Sequence, residues 1–107
     1  MTTLKLQVLT TSNEEQKTLL QGFYVEFCQR MRRIFSDECE RAEGQYEMNE
    51  CYKFINKAGG KIIGIMKNGK VVAITSKELA AYNGLFTSSN FNFDQYYDVL
   101  DLVKKSF

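Results

Sequence analysis

The sequence predicts an α+β fold: a three-stranded, mostly antiparallel sheet with helices packed on one face, in the order β-α-α-β-β-α-α. Three observations carry this expectation. Asn68-Gly69, a pair that readily adopts the positive φ angles of a type I′ turn, stands between two aliphatic runs at 61–66 and 71–75. Leu4, Leu6 and Val8 alternate with Lys5 and Gln7, the two-residue period of a half-buried strand. Leu20, Phe23, Phe27, Met31 and Ile34 recur at the three- and four-residue spacing of one buried helix stripe, while Val25, Gln29, Arg32 and Arg33 face away.

After the first strand, Ser12 is placed to cap a helix, with Glu15 three positions on completing a capping box. That helix should break near Ser36, because continuing it would put Glu38 on the apolar stripe, where an unpaired carboxylate is costly to bury. Ser36 can then cap a second short helix. Residues 46–58 read as another helix, with Met48, Cys51, Tyr52 and Ile55 on one face and Gly59-Gly60 ending it. In the hairpin, a two-residue turn pairs Lys67 with Lys70, Ile65 with Val72 and Ile63 with Ile74, gathering those four aliphatics on one face and setting Gly64 opposite Ala73. Ser76 can cap a short helix with Leu79 and Tyr82, ended by Asn83-Gly84. After a loop at 87–90, Asn92 can cap the last helix, with Phe91 packed on Tyr96 and a buried stripe of Tyr96, Leu100, Val103 and Phe107.

Composition bounds the class. A chain of 107 residues suits one domain, 1–107, and 44% hydrophobic residues supply the apolar material that disordered chains lack. No stretch approaches the ~18 apolar residues of a membrane helix, and the first dozen residues alternate instead of forming a signal peptide's apolar run. Cys28, Cys39 and Cys51 are odd in number and widely spaced, and the chain has no histidine; these are expected to be reduced cytoplasmic thiols without zinc.

Residues suited to catalysis are sparse. Cys39 sits among Asp37, Glu38 and Glu40, which oppose formation of a thiolate, while Cys51 lies on an apolar helix face and Cys28 beside a buried stripe. Without histidine the usual neutral-pH base is missing. Asp94, Asp98 and Asp101 recur at helical spacing and could present carboxylates to a cation, but such a row is usually a solvated face, and Gly59-Gly60 opens no phosphate-cradling loop. The expectation is a non-enzyme with no cofactor and no bound metal.

Charge is segregated although its sum is only +1. Asp37, Glu38, Glu40, Glu43, Glu47 and Glu50 are opposed within their segment only by Arg41, and Tyr46 and Tyr52 lie among or near them. Lys53, Lys57, Lys61, Lys67, Lys70 and Lys77 follow with no acid between Lys53 and Lys77, and Arg30, Arg32 and Arg33 form an earlier basic turn. Either patch can be a solvated surface; either can also steer a partner of opposite sign.

The stretch Ile65-Met66-Lys67-Asn68-Gly69-Lys70-Val71-Val72-Ala73-Ile74, followed by Ser76, Glu78 and Tyr82, resembles the hairpin and following helix of Phd/YefM-type antitoxins, though the long segment before it departs from that family. The β-α-α-β-β order is similar to the amino-terminal half of GNAT acetyltransferases, but their Q/R-x-x-G-x-G/A segment, which holds the acetyl-CoA pyrophosphate, has no counterpart. The expected function is a small cytoplasmic binding protein that neutralises a protein partner with a basic surface, in the manner of an immunity protein, antitoxin or phage inhibitor. Its contact residues would be Asp37, Glu38, Glu40, Glu43, Tyr46, Glu47 and Glu50. The alternatives are nucleic-acid binding through Arg30, Arg32, Arg33, Lys53, Lys57, Lys67 and Lys70, and a minimal acyltransferase-like domain. No membrane partner is expected, and the oligomeric state is left open.

Overall fold

The computed structural model describes residues 4–57 and 61–107. The chain runs through β1 (Lys5–Leu9), α1 (Glu14–Ile34), α2 (Glu38–Asn56), β2 (Ile62–Lys67), β3 (Lys70–Thr75), α3 (Lys77–Ala81), β4 (Phe86–Thr87), a 3-10 turn at Phe93–Gln95 and α4 (Tyr96–Ser106). The strands form an antiparallel sheet in the order β1-β2-β3-β4.

This is the expected α+β class with two corrections. Among the described residues the sheet has four strands rather than three, because Phe86 and Thr87 pair with Ile74 and Ala73 at the outer edge of β3. Two residues carry too little periodicity to announce a strand. Helices also cover both faces instead of one. On one side Leu9, Ile62, Val71 and Ile74 meet Leu20, Phe23, Phe27 and Met31 of α1 and Met48, Cys51 and Ile55 of α2. On the other, Ile63, Ile65, Val72 and Ala73 meet Ala80 of α3 and Val99, Leu100 and Val103 of α4. A strand covered on both sides needs apolar residues at consecutive positions, as β2 has.

The hairpin turns where the sequence indicates, with Asn68 at φ 53° and Gly69 at φ 78°, and Lys67 faces Lys70. Beyond that pair the register differs. Met66 faces Val71, but Ile65 faces Ala73 and Ile63 faces Thr75, so Val72 is an extra residue in a bulge. The bulge divides the four aliphatics expected together, leaving Val72 with Ile63 and Ile65 while Ile74 joins the α1–α2 side. Gly64 consequently faces Ile74, not Ala73. Its missing side chain has a use: a Cβ there would lie 2.6 Å from Cδ1 of the fully buried Leu9. Gly64→Ala should therefore lower stability by about 1–3 kcal/mol in urea unfolding, although alanine restricts the unfolded chain more than glycine does.

Helix ends differ in detail. Asn13, not Ser12, caps α1, its Oδ1 accepting from the Gln16 amide at 3.0 Å. The Gln16 side chain accepts instead from the Thr10 amide. Ile34 is 45% exposed and leaves the buried stripe, where Cys28 takes a place. The chain does break at Phe35–Asp37, but α2 then runs unbroken from Glu38 to Asn56, where a short helix and a separate one at 46–58 were expected. Glutamate, arginine, alanine and glutamine are good helix formers and need no break between them. Tyr52 is exposed rather than buried. The expected Gly59-Gly60 terminus, with Ala58, lies outside the described residues. Ser76 does cap α3 and Asn83, at φ 60°, does follow its end, with Gly84 N–H donating to the Leu79 carbonyl. Asn92 caps the 3-10 turn rather than α4 itself, and the Phe91 ring meets Phe93 edge-on at 5.7 Å.

A candidate partner-binding face on α2

Successive residues of an α-helix are rotated by about 100°, so positions i, i+3, i+4 and i+7 share a face. In α2 that rule aligns Glu43, Tyr46, Glu47 and Glu50, with Glu40 one turn earlier. This row flanks the buried one of Met48, Cys51 and Ile55, which anchors α2 and fixes which way the carboxylates project. Glu40 and Glu43 are exposed, Glu47 and Glu50 are half-buried, and Tyr46 is 61% exposed. Glu38 lies five residues before Glu43, a rotation of about 140° away from the row. Asp37 precedes the helix, its carbonyl accepting from the Glu40 and Arg41 amides. Five of the seven acidic-face candidates are thus brought together.

The row is barely neutralised. Lys53 Nζ approaches Glu50 Oε1 at 3.8 Å, an exposed contact at the long end of ion pairing. Among the described residues Glu40, Glu43 and Glu47 have no ion-pair partner. Arg41 lines a separate hollow of about 460 Å³ with Met31, Arg32, Phe35 and Met48, between the end of α1 and the start of α2. Acids in the first helical turn are favoured by the helix dipole, but Glu43, Glu47 and Glu50 lie beyond its reach. Like charges three and four residues apart instead repel, at about 0.2–0.5 kcal/mol per pair.

The alternative basic patch is dispersed. The Arg30 guanidinium donates to the carbonyl and hydroxyl oxygens of Thr87 at 3.1 and 3.0 Å and lies 4.7 Å from the centre of the Phe93 ring. Partial burial lowers its pKa from the ordinary value, though an arginine so placed stays charged. Arg30 therefore ties α1 to β4 and the 3-10 turn. Arg32 and Arg33 are exposed in the last turn of α1, where cations complement the dipole. Lys67 and Lys70 stand at the hairpin turn, whereas Lys57 lines a groove with Ile62 and Ser76 at the opposite end of the sheet. Lys53 is exposed beside Glu50. The role of Arg30 had no local signal, since Thr87 is 57 residues away.

The described cysteines are buried. Desolvation pushes the Cys51 thiol far above its ordinary value of 9.0, with smaller contributions from Cys28 and Glu47. Desolvation is also the largest cause raising Tyr24 to about 12, followed by its hydrogen bond to Cys28. Because the folded state holds the Cys51 proton more tightly than the unfolded state, stability is full below pH 9.0 and falls as pH rises above it. Equilibrium unfolding from pH 8 upward should show this decline, at most about 1.4 kcal/mol per pH unit from this thiol, and Cys51→Ala should make it shallower between about pH 9 and 10, below the range where the raised Tyr24 adds a decline of its own. Among the described residues no cluster of three or more histidine, cysteine or carboxylate groups could hold a metal ion, and no helix is long and apolar enough to cross a membrane.

Compared with protein-family models, curated proteins and solved structures, the chain matches none of them.

Proposed function

We propose that the protein is a small, non-catalytic binding protein that neutralises a protein partner, as immunity proteins, antitoxins and phage inhibitors do. The row Glu40, Glu43, Glu47 and Glu50 would meet a basic surface on that partner, with Tyr46 as its aromatic contact. One observation carries the reading: four carboxylates aligned on one helix, three of them without ion-pair partners among the described residues, although like-charge repulsion costs the isolated helix stability. A basic partner would relieve that repulsion on binding, and the charge would speed its approach. Tyrosine suits such an interface, being large and rigid with a polar tip.

The dispersal of the cations gives the nucleic-acid reading less support. Arg30 is engaged internally, and the lysines stand at opposite ends of the sheet.

The test is capture on immobilised full-length protein from the source cell's lysate. A specific partner should be retained at low salt, eluted near 0.5 M salt where the Debye length is only about 4–5 Å, and lost with the Glu43→Lys/Glu47→Lys variant. Retention of the same protein by the variant at equal strength would contradict the proposal, as would a low-salt gel shift with DNA or RNA that is abolished by Arg32→Ala/Arg33→Ala.

A further inference from the structure

At the end of the sheet remote from the hairpin turn, the described residues form a half-open groove of about 770 Å³. Its floor is apolar: Val8 of β1, Ile62 and Ile63 of β2, Phe54 of α2 and Leu79 of α3. Tyr82 and Phe107 contribute further surface, and Val8, Tyr82 and Phe107 are all appreciably exposed. The volume lies within the range usual for small-molecule sites, about 300–1,000 Å³. Elements on both faces of the sheet contribute to it, α2 on one and α3 on the other, with β1 and β2 between them.

The rim has one dominant sign. Lys57, Lys61 and Lys77 line the groove with one acid, Glu78, and none of the three lysines has an ion-pair partner among the described residues. The Ser76 side chain is occupied, its hydroxyl accepting from the Leu79 amide at 3.1 Å. What remains is an apolar floor bordered by unpaired ammonium groups on flexible stems. Such a site suits a ligand with an apolar body and a negative head; a neutral ligand would gain nothing from the rim, and a compact hydrophilic anion nothing from the floor.

We propose that this groove binds a small, freely diffusing amphipathic anion, with a carboxylate head held among Lys57, Lys61 and Lys77 and an unbranched chain or ring lying over Val8, Phe54, Ile62 and Leu79. The site is separate from the carboxylate row of α2 and does not depend on it. The lysines are exposed, so the head-group attraction is screened and salt-sensitive, and most of the affinity comes from the floor.

Decanoate, kept below its micelle-forming concentration, is a direct probe of the full chain by methyl NMR. It should shift the Val8, Ile62, Ile63 and Leu79 methyls saturably, and uncharged decanol should bind the same site roughly tenfold more weakly. Lys61→Glu/Lys77→Glu, both surface changes, should weaken decanoate roughly tenfold or more and leave decanol unchanged. Equal affinity for decanoate and decanol, an unaltered decanoate affinity in the double variant, or shifts confined to other methyls would each overturn the proposal. So would a response to anionic phosphatidylglycerol vesicles with none to monomeric decanoate, which would assign the groove to a lipid surface.

Discussion

Truncating Phe23 to alanine is expected to lower the unfolding free energy by about 3–5 kcal/mol. Its ring is 1% exposed, stacks on Phe27 at 6.0 Å between centroids and sits where α1 meets the sheet. A domain of this size is commonly stable by only about 5–15 kcal/mol, so the variant should be close to unfolding at physiological temperature. The two helical layers give this prediction a sharper form. Phe23 belongs to the core between the sheet and α1–α2, Val103 to the core between the sheet and α3–α4, and the strands separate them. Phe23→Leu and Val103→Ala should therefore add within about 0.5 kcal/mol in urea unfolding. A large coupling between them would mean that the two cores are one.

The second large effect concerns association. With a captured partner in hand, Glu43→Lys/Glu47→Lys/Glu50→Lys should slow the association rate roughly 10- to 1,000-fold at low ionic strength, and the gap should narrow steeply as salt is added. Folding should be little affected, because Glu43 is exposed, Glu47 and Glu50 are half-buried and, among the described residues, their only ion-pair contact is the 3.8 Å approach of Lys53 to Glu50. Stopped-flow measurement at two salt concentrations, beside thermal unfolding of the variant, separates the two effects. A variant that associates at the wild-type rate in low salt would remove the steering role from α2.

Local signals account for much of the fold. Asn68-Gly69 located the hairpin, Ser76 and Asn83 bounded α3, and the spacing of Leu20, Phe23, Phe27 and Met31 defined the buried face of α1. The misses have physical causes. The bulge at Val72 depends on which face each neighbour must fill, and turn chemistry two residues away does not encode that. The second helical layer was foreshadowed by Ile62, Ile63, Ile65 and Met66, a run with too little alternation for a strand that faces water on one side. Phe86 and Thr87 became a strand because Arg30 and the edge of β3 hold them there, and both contacts are remote in sequence.

The candidate face was legible in part. Composition along the chain marked the acidic segment, and helical periodicity applied to one continuous α2 sorts Glu40, Glu43, Glu47 and Glu50 from Glu38. The lysines that follow looked like one patch because they are consecutive among the charged residues; the hairpin carries Lys67 and Lys70 away from Lys57, Lys61 and Lys77. The groove those last three border was not legible at all, since its floor combines β1, β2, α2 and α3.

Carbodiimide labelling of carboxylates, read residue by residue by mass spectrometry with and without the bound partner, probes the contact surface most directly. Glu43, Glu47 and Glu50 should be shielded in the complex while Asp98 and Asp101 on α4 label as before. Undiminished labelling of those three glutamates in a saturated complex would place the partner elsewhere on the molecule and contradict the assignment of α2 as its docking helix.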